Sequence, residues 1–401
     1  MRSVPLALLA AFGLLGAPTL AQTVTTITEP FEASGGVSVG PDGNVYVADF
    51  GEFLNANGGT TLYRVTPEGD VSVFATGFVG ASGNAFDAEG TLYQSNIGAG
   101  RVDKVAPDGT VTPFASAGIV APVGVTVDAE GNVYNTNCQT PGRISKTTPE
   151  GVTTTFATSP LMRCPNGLTI DDDGNLYTAN FNNGGVIKIT PDGTVSELVS
   201  LSDAPVGNGH LTFANGRLYV CNWGGFIYEV MLDGAARVLA GSGPGLADGP
   251  ADEAQFFRPN GISASVTGDT LYLNQTAEIV ALPQIHPNTV RMITGVFQTA
   301  GAQEDAAAPG DLGLAPSAPN PFRSGTRIRY TLPRPMPVVL RVYDVLGRAV
   351  RTLVARDEAA GPHEVRWDGR SDVGRPLTAG VYLYALESAD RRVVRRVTLL
   401  D

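Results

Sequence analysis

The chain has 401 residues, of which 43% are hydrophobic, 49 are Gly and 28 are Pro. This length favours more than one domain, and the turn residues between short apolar runs predict many short strands rather than a disordered chain. The formal net charge of −12 is divided unevenly, because residues 317–401 carry 15 Arg and 9 acids while residues 1–316 carry 12 basic and 30 acidic residues. The acidic larger part argues against nucleic acid as its partner.

The first 21 residues have the pattern of a secretory signal peptide. Arg2 precedes an apolar stretch from Leu6 to Leu15, and small residues lead to Ala21. The stretch is too short to cross a bilayer comfortably, and no other segment approaches the ~20 apolar residues that a membrane-spanning helix needs. We predict a leader over residues 1–21, no transmembrane segment, and a mature chain that is secreted or held at the cell surface via the periplasm.

Six repeats follow, over residues 22–297. Each has a Gly, an apolar strand, an acidic turn containing Gly, and a Tyr ten or eleven residues after the first Gly. The Gly and Tyr positions are Gly36 and Tyr46, Gly83 and Tyr93, Gly124 and Tyr134, Gly167 and Tyr177, Gly209 and Tyr219, and Gly261 and Tyr272. The spacing from Tyr to Tyr accommodates four short strands, as a propeller blade requires. The predicted fold class is therefore all-β, a six-bladed β-propeller.

The fourth repeat illustrates the predicted blade. Its strands are expected at Gly167–Ile170, Leu176–Ala179, Gly185–Thr190 and Thr194–Val199, with Asp-Gly turns between them. Closure of the ring has two candidates, Val24–Thr28 and Thr289–Thr294, and the sequence leaves both open.

Strand polarity places two sets of residues at one end of the central channel. One set stands immediately before each repeat Gly, and the other stands three positions after each repeat Tyr. Most of these residues are amides, which donate and accept hydrogen bonds and therefore suit a polar ligand. The alternative for each position is a structural role, in which the amide caps a nearby loop. With the neighbouring aromatic Trp223, the predicted ligand-binding residues are Asp49, Asn96, Asn137, Asn166, Asn180, Asn208, Asn222, Trp223 and Asn260.

The Gly-apolar-Asp-Gly-Asn-apolar-Tyr rhythm resembles NHL-repeat propellers and the related SMP-30/gluconolactonase-like group. The segment from Ala240 to Gly249, with Ala254–Phe256 and Pro259–Ile262, resembles an NHL linker between blades. The resemblance implies a propeller that serves either as a binder or as an enzyme.

In gluconolactonase-like enzymes, a calcium- or zinc-type ion is held by Glu, Asn and Asp. Asn166 matches the family's Asn, Asn208 stands in place of its Asp, and Gly35 stands in place of its Glu. The metal ligands that the resemblance implies are thus Asn166, Asn208 and the nearby Asp49, a set that would bind Ca or Zn weakly. His210 is the candidate catalytic base, with a structural role as the alternative.

The three cysteines are Cys138, Cys164 and Cys221. Export permits disulfides, and the first two lie in loops of neighbouring blades at the same end of the channel. We predict a bridge between Cys138 and Cys164, with Cys221 free and buried.

Residues 298–316 are rich in Ala, Gly, Pro and acids and read as a linker. Alternating strands follow at Arg327–Leu332, Val338–Tyr343, Val350–Val354, His363–Trp367, Val381–Leu386 and Val393–Leu399. Their period of two predicts a small β-sandwich over residues 317–401.

This module resembles the type A sorting domain of type IX secretion cargo and the FlgD-type Ig-like fold. The matching segments are Pro319–Phe322, Tyr343–Arg348, Trp367–Gly369, Gly380–Tyr384 and Arg395–Val397. The resemblance implies a partner, the outer-membrane translocon, and the alternative is an ordinary Ig-like accessory domain. For the propeller, three functions remain open: a binder of a polar ligand or protein, a metal-dependent lactonase or lyase, and a structural adhesin.

Overall fold

The computed structural model describes residues 22–54, 58–201, 207–266, 268–296, 313–315, 317–320, 322–343, 349–388 and 392–400. The predicted leader therefore lies outside the described residues, as does most of the predicted linker. The chain divides into two compact units, Met1–Gln298 and Thr299–Asp401. Every regular element in the described residues is a β-strand, and none of them forms a helix with the length and apolar character to cross a membrane.

The first unit contains the strands that the repeats predict. In chain order they are β1 (Thr23–Thr26), β2 (Val37–Val39), β3 (Val45–Ala48), β4 (Thr61–Val65), β5 (Val71–Thr76), β6 (Ala81–Phe86), β7 (Leu92–Asn96), β8 (Arg101–Val105), β9 (Val111–Ala115), β10 (Pro122–Val127), β11 (Val133–Asn137), β12 (Gly142–Thr147), β13 (Thr153–Ser159), β14 (Pro165–Ile170), β15 (Leu176–Asn180), β16 (Gly185–Ile189), β17 (Val195–Ser200), β18 (Asn208–Ala214), β19 (Arg217–Asn222), β20 (Phe226–Met231), β21 (Ala236–Ala240), β22 (Gly249–Pro250), β23 (Ile262–Ala264), β24 (Thr270–Thr276) and β25 (Asn288–Thr294).

These strands form repeated antiparallel sheets. Five sheets each consist of four consecutive strands, β2 to β5, β6 to β9, β10 to β13, β14 to β17, and β18 to β21. The remaining sheet has the order β22-β1-β25-β24-β23. The first strands of the sheets, β2, β6, β10, β14, β18 and β23, contact one another in a closed cycle. This arrangement of four-stranded sheets around a common axis is that of a propeller.

The strand β1 closes the ring. It pairs with β25 on one side and with β22 on the other, so the beginning of the unit completes its last sheet. Asp248 fixes the junction, because its carboxylate accepts hydrogen bonds from the backbone N–H and the hydroxyl of Thr26, at 2.8 and 2.9 Å, and lies 2.6 Å from the fully buried Arg291 guanidinium. Of the two candidates, the first supplies the fourth strand counted from β23, and Thr289–Thr294 lies within the third strand, β25.

In the first, third and fourth repeats, Asp, Asn and Tyr form one hydrogen-bonded unit at the turn of the inner hairpin. In the fourth repeat, Asp171 accepts hydrogen bonds from the backbone and side chain of Asn175, at 2.8 and 2.9 Å, and from the Tyr177 hydroxyl at 2.9 Å. The buried Tyr177 ring packs between sheets, and burial together with the Asp171 carboxylate raises its pKa above the usual range. In these repeats the sequence pattern therefore specifies a hydrogen-bonded turn that the Tyr ring anchors to the core.

The repeated Gly permits close approach of neighbouring sheets at the axis. A Cβ at position 83 would lie 2.4 Å from the Val123 carbonyl oxygen, and one at position 124 would lie 2.4 Å from the Asn166 carbonyl oxygen. The same relation continues around the ring, since a Cβ at position 209 would lie 2.5 Å from the Asn260 carbonyl oxygen. No residue with a side chain fits there without moving the backbone.

The second unit is a β-sandwich, as its alternating pattern predicts. Its strands are β26 (Gly313–Leu314), β27 (Thr326–Leu332), β28 (Met336–Tyr343), β29 (Ala349–Glu358), β30 (Gly361–Trp367), β31 (Gly380–Glu387) and β32 (Arg392–Leu399). They form two sheets, in the orders β26-β27-β30 and β29-β28-β31-β32, around a core that includes Trp367 and Tyr384. Strand β26 lies within the segment predicted as linker, because its two residues pair with β27.

We expect Gly83→Ala to lower the free energy of unfolding by about 3 kcal/mol, because the added methyl group would overlap the Val123 carbonyl oxygen. Chemical denaturation followed by circular dichroism measures the change. Gly185→Ala is the matched control, since the atoms nearest to its added methyl group belong to the side chains of Asn180 and Asn183, at 3.0 and 3.2 Å. Equal losses in the two variants would contradict the role given to the inner glycines.

Candidate functional site

One end of the channel opens into a pocket of about 210 Å³. Its apolar lining consists of Phe50, Leu54, Ile97, Val123, Phe181, Trp223 and Ile285, with the disulfide of Cys138 and Cys164. Its polar lining consists of Ser34, Ser82, Asn166, Arg258, Asn260, Thr276 and Asn288. An apolar cavity with a few convergent polar groups is the usual form of a small-molecule site.

The pocket wall follows the repeat. In each of the six repeats, the residue four positions after the Tyr lines the pocket: Phe50, Ile97, Cys138, Phe181, Trp223 and Thr276. The predicted residues that follow the Tyr by three positions stand one position earlier. Because successive side chains of a strand point in opposite directions, the two sets face different surroundings.

Three of the predicted ligand-binding residues line the pocket: Asn166, Trp223 and Asn260. The Asn166 amide donates to the Asn208 carbonyl oxygen at 3.4 Å, and the Asn260 amide donates to the Ser34 carbonyl oxygen at 2.7 Å. Among the residues that the structure describes, none donates a hydrogen bond to the side-chain oxygen of Asn166 or Asn260. Both carboxamides therefore offer an acceptor to a ligand.

Three other predicted residues, Asn96, Asn137 and Asn180, hold the connections between sheets. Each side-chain oxygen accepts a hydrogen bond from the backbone N–H seventeen residues earlier, at 2.8, 2.8 and 2.9 Å. All three side chains are buried, and none lines the pocket. Their geometry is that of the structural alternative, in which an amide caps the neighbouring loop.

The remaining amides, Asn208 and Asn222, bind each other. The Asn222 amide donates to the Asn208 side-chain oxygen at 2.9 Å, while the Asn222 side-chain oxygen accepts from the Gly224 N–H at 2.9 Å. Both residues are buried outside the pocket lining.

Asp49 lies behind the pocket wall. One of its carboxylate oxygens is 3.2 Å from Nε2 of His286, and the same nitrogen is 3.0 Å from the hydroxyl of Ser34, which lines the pocket. The Ser34 hydroxyl donates to the Gly51 carbonyl oxygen at 3.0 Å. The acid and the serine therefore approach one nitrogen of the imidazole, whereas a catalytic triad places them on opposite nitrogens.

The residues present do not fit a divalent cation. No carboxylate is among the described residues that line the pocket, whereas the basic residue Arg258 is. In the described part of the chain, no three His, Cys, Asp or Glu side chains gather as a metal site. The position matched to the family's Glu is closed sterically as well, because a Cβ at Gly35 would lie 2.5 Å from the Ala81 carbonyl oxygen. Hard cations favour carboxylate oxygens, and Asn166 and Asn208 supply neutral amide oxygens instead.

His210 lies at the channel axis. Its Cε1 atom is 3.2 Å from where a Cβ at Gly36 would stand and 3.1 Å from the corresponding point at Gly83. Burial lowers the pKa of His210 to about 4, and its Nε2 atom has no hydrogen-bond partner among the described residues. The imidazole is thus neutral near pH 7, and it is absent from the pocket lining.

The disulfide and the aromatic pair give the wall its rigidity. Cys138 and Cys164 form the bond expected from the sequence, linking the loops after β11 and before β14, while Cys221 is free and buried. Phe181 and Trp223 meet edge to face, with ring centroids 5.0 Å apart. Fixed aromatic rings bind flat ligands with little loss of conformational entropy.

Most lining residues were not predicted from the sequence, and among them Arg258 carries a charge. It precedes the Pro259-Asn260-Gly261 segment, in a connection where no periodic pattern assigns side-chain direction. One of its guanidinium nitrogens donates to the Gln284 carbonyl oxygen at 3.0 Å, and burial lowers its pKa. The available signal was its place two residues before Asn260, which was already predicted to face the ligand.

Two regions of the chain match protein-family models. Residues 17–166 match the SMP-30/gluconolactonase/LRE-like region, and residues 322–391 match the FlgD Ig-like domain. No curated protein sequence matches the chain significantly. The first unit thus contains an SMP-30/gluconolactonase-like region, and the second contains an Ig-like domain of the FlgD type.

Solved structures with the same fold include a protein of unknown function from Bacteroides thetaiotaomicron, 16% identical, with a TM-score of 0.55 over 68% of this chain and 76% of that one. An auxiliary nutrient binding protein from the same organism is 14% identical, with a TM-score of 0.54 and the same coverage. A gluconolactonase from Xanthomonas campestris is 15% identical, with a TM-score of 0.51 over 68% of this chain and 89% of that one. At these identities the likeness establishes the propeller-like fold alone.

We expect the stability of the protein to fall as the pH is lowered from 6.5 to 4, partly because of His210. The pKa of this group is about 4 when the chain is folded, against the ordinary histidine value of 6.5, so in this window the unfolded chain binds the proton more readily. The difference corresponds to roughly 3 kcal/mol. Thermal unfolding at a series of pH values should show a smaller loss for His210→Met, with His363→Met in the sandwich as control. An unchanged slope in His210→Met would contradict the assignment.

Proposed function

We propose that this protein is an exported six-bladed β-propeller that binds a small ligand in the pocket at one end of its channel, without a resident metal. The observation that carries this proposal is the lining itself. All six repeats contribute a wall residue, mainly apolar or aromatic, while Asn166 and Asn260 present free acceptors and no described lining residue is a carboxylate. These features favour reversible binding over metal-assisted hydrolysis.

The second candidate function is that of a metal-dependent lactonase or lyase. The match of residues 17–166 to the SMP-30/gluconolactonase-like region favours it. The fold serves both purposes, since it is found in a protein named for nutrient binding and in a gluconolactonase. The closed position at Gly35 and the engaged Asp49 oppose the enzyme, because a hydrolase of this type needs a carboxylate-bound ion in the pocket.

We expect a screen of small aromatic and sugar fragments by ligand-observed NMR to find fragments that bind the wild type. The binding signals of these fragments should be lost with Trp223→Ala, because this change removes an aromatic wall of the pocket. Ile279→Ala is the matched control, since Ile279 is 71% exposed and lies outside the lining. Calcium, zinc and EDTA should each leave the melting temperature within about 1 °C.

Two outcomes would contradict this proposal. Fragment binding equal in Trp223→Ala and the wild type would place the ligand elsewhere. Stabilisation by calcium or zinc, together with aldonolactone hydrolysis that EDTA abolishes, would establish the second candidate.

For the second unit we propose the role of an export address, read by the outer-membrane translocon of a type IX secretion system. The FlgD-type match, the predicted leader and the basic charge of residues 317–401 support this role. The propeller would then act outside the cell, at the surface or in the medium.

Deletion of residues 317–401 should leave the propeller in the periplasm of a host that has this secretion system, because the truncated chain keeps its leader and loses its address. Fractionation with immunodetection of the propeller measures the outcome, with the full chain as control. Normal secretion of the truncated chain would contradict the sorting role and favour an accessory domain.

A further inference from the structure

Arg258 stands in the pocket wall with an unbalanced charge. It donates to one backbone carbonyl, that of Gln284 at 3.0 Å, and its guanidinium lies 4.8 Å from the centre of the Phe257 ring. Among the described residues, no carboxylate lies within ion-pairing distance of it. Burial is the cause of its lowered pKa, with no opposite charge to offset the loss of water. A guanidinium has several N–H donors, so most of its capacity is open to a ligand.

The backbone does not explain an arginine at this position. Arg258 has a φ of 51°, in the left-handed region that favours glycine. Ala121 and Cys164, at the corresponding points of two other repeats, have φ values of 46° and 50°, and Gly80 has 70°. The connection between sheets imposes this conformation, and glycine adopts it with least strain. Strained residues that line a pocket point to a role for the side chain.

The other residues of the pocket indicate which further groups a ligand should carry. Phe181 and Trp223 present a fixed aromatic corner, and Asn166 and Asn260 contribute neutral acceptors. A cation would be repelled by Arg258, and a neutral sugar would leave the guanidinium without a counter-charge in a partly desolvated site. A carboxylate pairs with a guanidinium through two parallel hydrogen bonds, while a flat apolar body suits the rings.

We propose that the pocket takes a small aromatic carboxylic acid, whose carboxylate is bound by Arg258 and whose ring packs against Trp223. This inference rests on the proposed binding function and names its ligand class. The cavity of about 210 Å³ has room for a ligand of one or two rings.

The test is a pair of probes of the same shape and different charge, naphthalene-2-carboxylate and naphthalene-2-carboxamide, titrated by calorimetry. The wild type should bind the carboxylate roughly tenfold more tightly than the amide, because the carboxylate alone gains a charge-assisted pair. Arg258→Gln should abolish this preference and leave binding of the amide within about twofold. Arg163→Gln, an exposed arginine beside Cys164 and outside the lining, should keep the wild-type preference.

The outcomes separate this inference from the function on which it rests. Equal affinity for the two probes in the wild type would overturn the ligand class and leave the binding function standing. A preference that survives Arg258→Gln would overturn the role of Arg258. Binding of neither probe, together with fragment binding lost in Trp223→Ala, would again overturn the ligand class alone. The wild-type comparison needs no variant, so it decides the matter even where Arg258→Gln fails to fold.

Discussion

The close approach of backbones at the channel axis is the constraint on which the first unit depends. Gly83 faces the Val123 carbonyl oxygen and Gly124 faces that of Asn166, each without room for a Cβ. Side chains two positions after the repeat Tyr then bridge to the next sheet, as where the Ser95 hydroxyl donates to the Val123 carbonyl oxygen at 2.6 Å and the Thr136 hydroxyl donates to that of Asn166 at 2.9 Å. Tight packing at the axis thus brings these polar groups within hydrogen-bonding reach and satisfies backbone carbonyls that would otherwise be buried unpaired.

The same geometry decides which side chains a ligand can meet. Beyond the bridging residues, the strand end turns one amide toward the connection behind it, as Asn137 does, and releases the next residue into the pocket. After the repeat Tyr, the residues that line the pocket therefore stand one position later than the predicted ones, whereas Asn166 and Asn260 line it as predicted. The wall residues differ from repeat to repeat, from Phe50 to Cys138 to Trp223. Variation is tolerated where the repeat ends, and ligand specificity can arise there.

Much of this molecule follows from its sequence, and the remainder has identifiable physical causes. The repeat spacing predicts strands such as Leu176–Asn180 to within a residue, because turn chemistry and alternation are local. The direction of Asn180 is not local, since it depends on a partner N–H seventeen residues earlier. Closure of the ring by Thr23–Thr26 could not be predicted either. Val24–Thr28 and Thr289–Thr294 both had a suitable pattern, and only the strands with which they pair distinguish them. Arg258 stands in a connection without a periodic pattern, so the sequence does not indicate which way its side chain points.

The close packing at the channel axis explains why position 35 is a glycine and not an acid. Position 35 would bring a Cβ to 2.5 Å from the Ala81 carbonyl oxygen, so no carboxylate can stand there while the sheets keep their present spacing. In this chain the spacing is kept, and the charge that reaches the pocket is the positive one of Arg258, supplied from a strained connection outside the sheets. Packing at the channel axis therefore excludes an acid at position 35, and a connection between sheets supplies the charged residue of the pocket, Arg258.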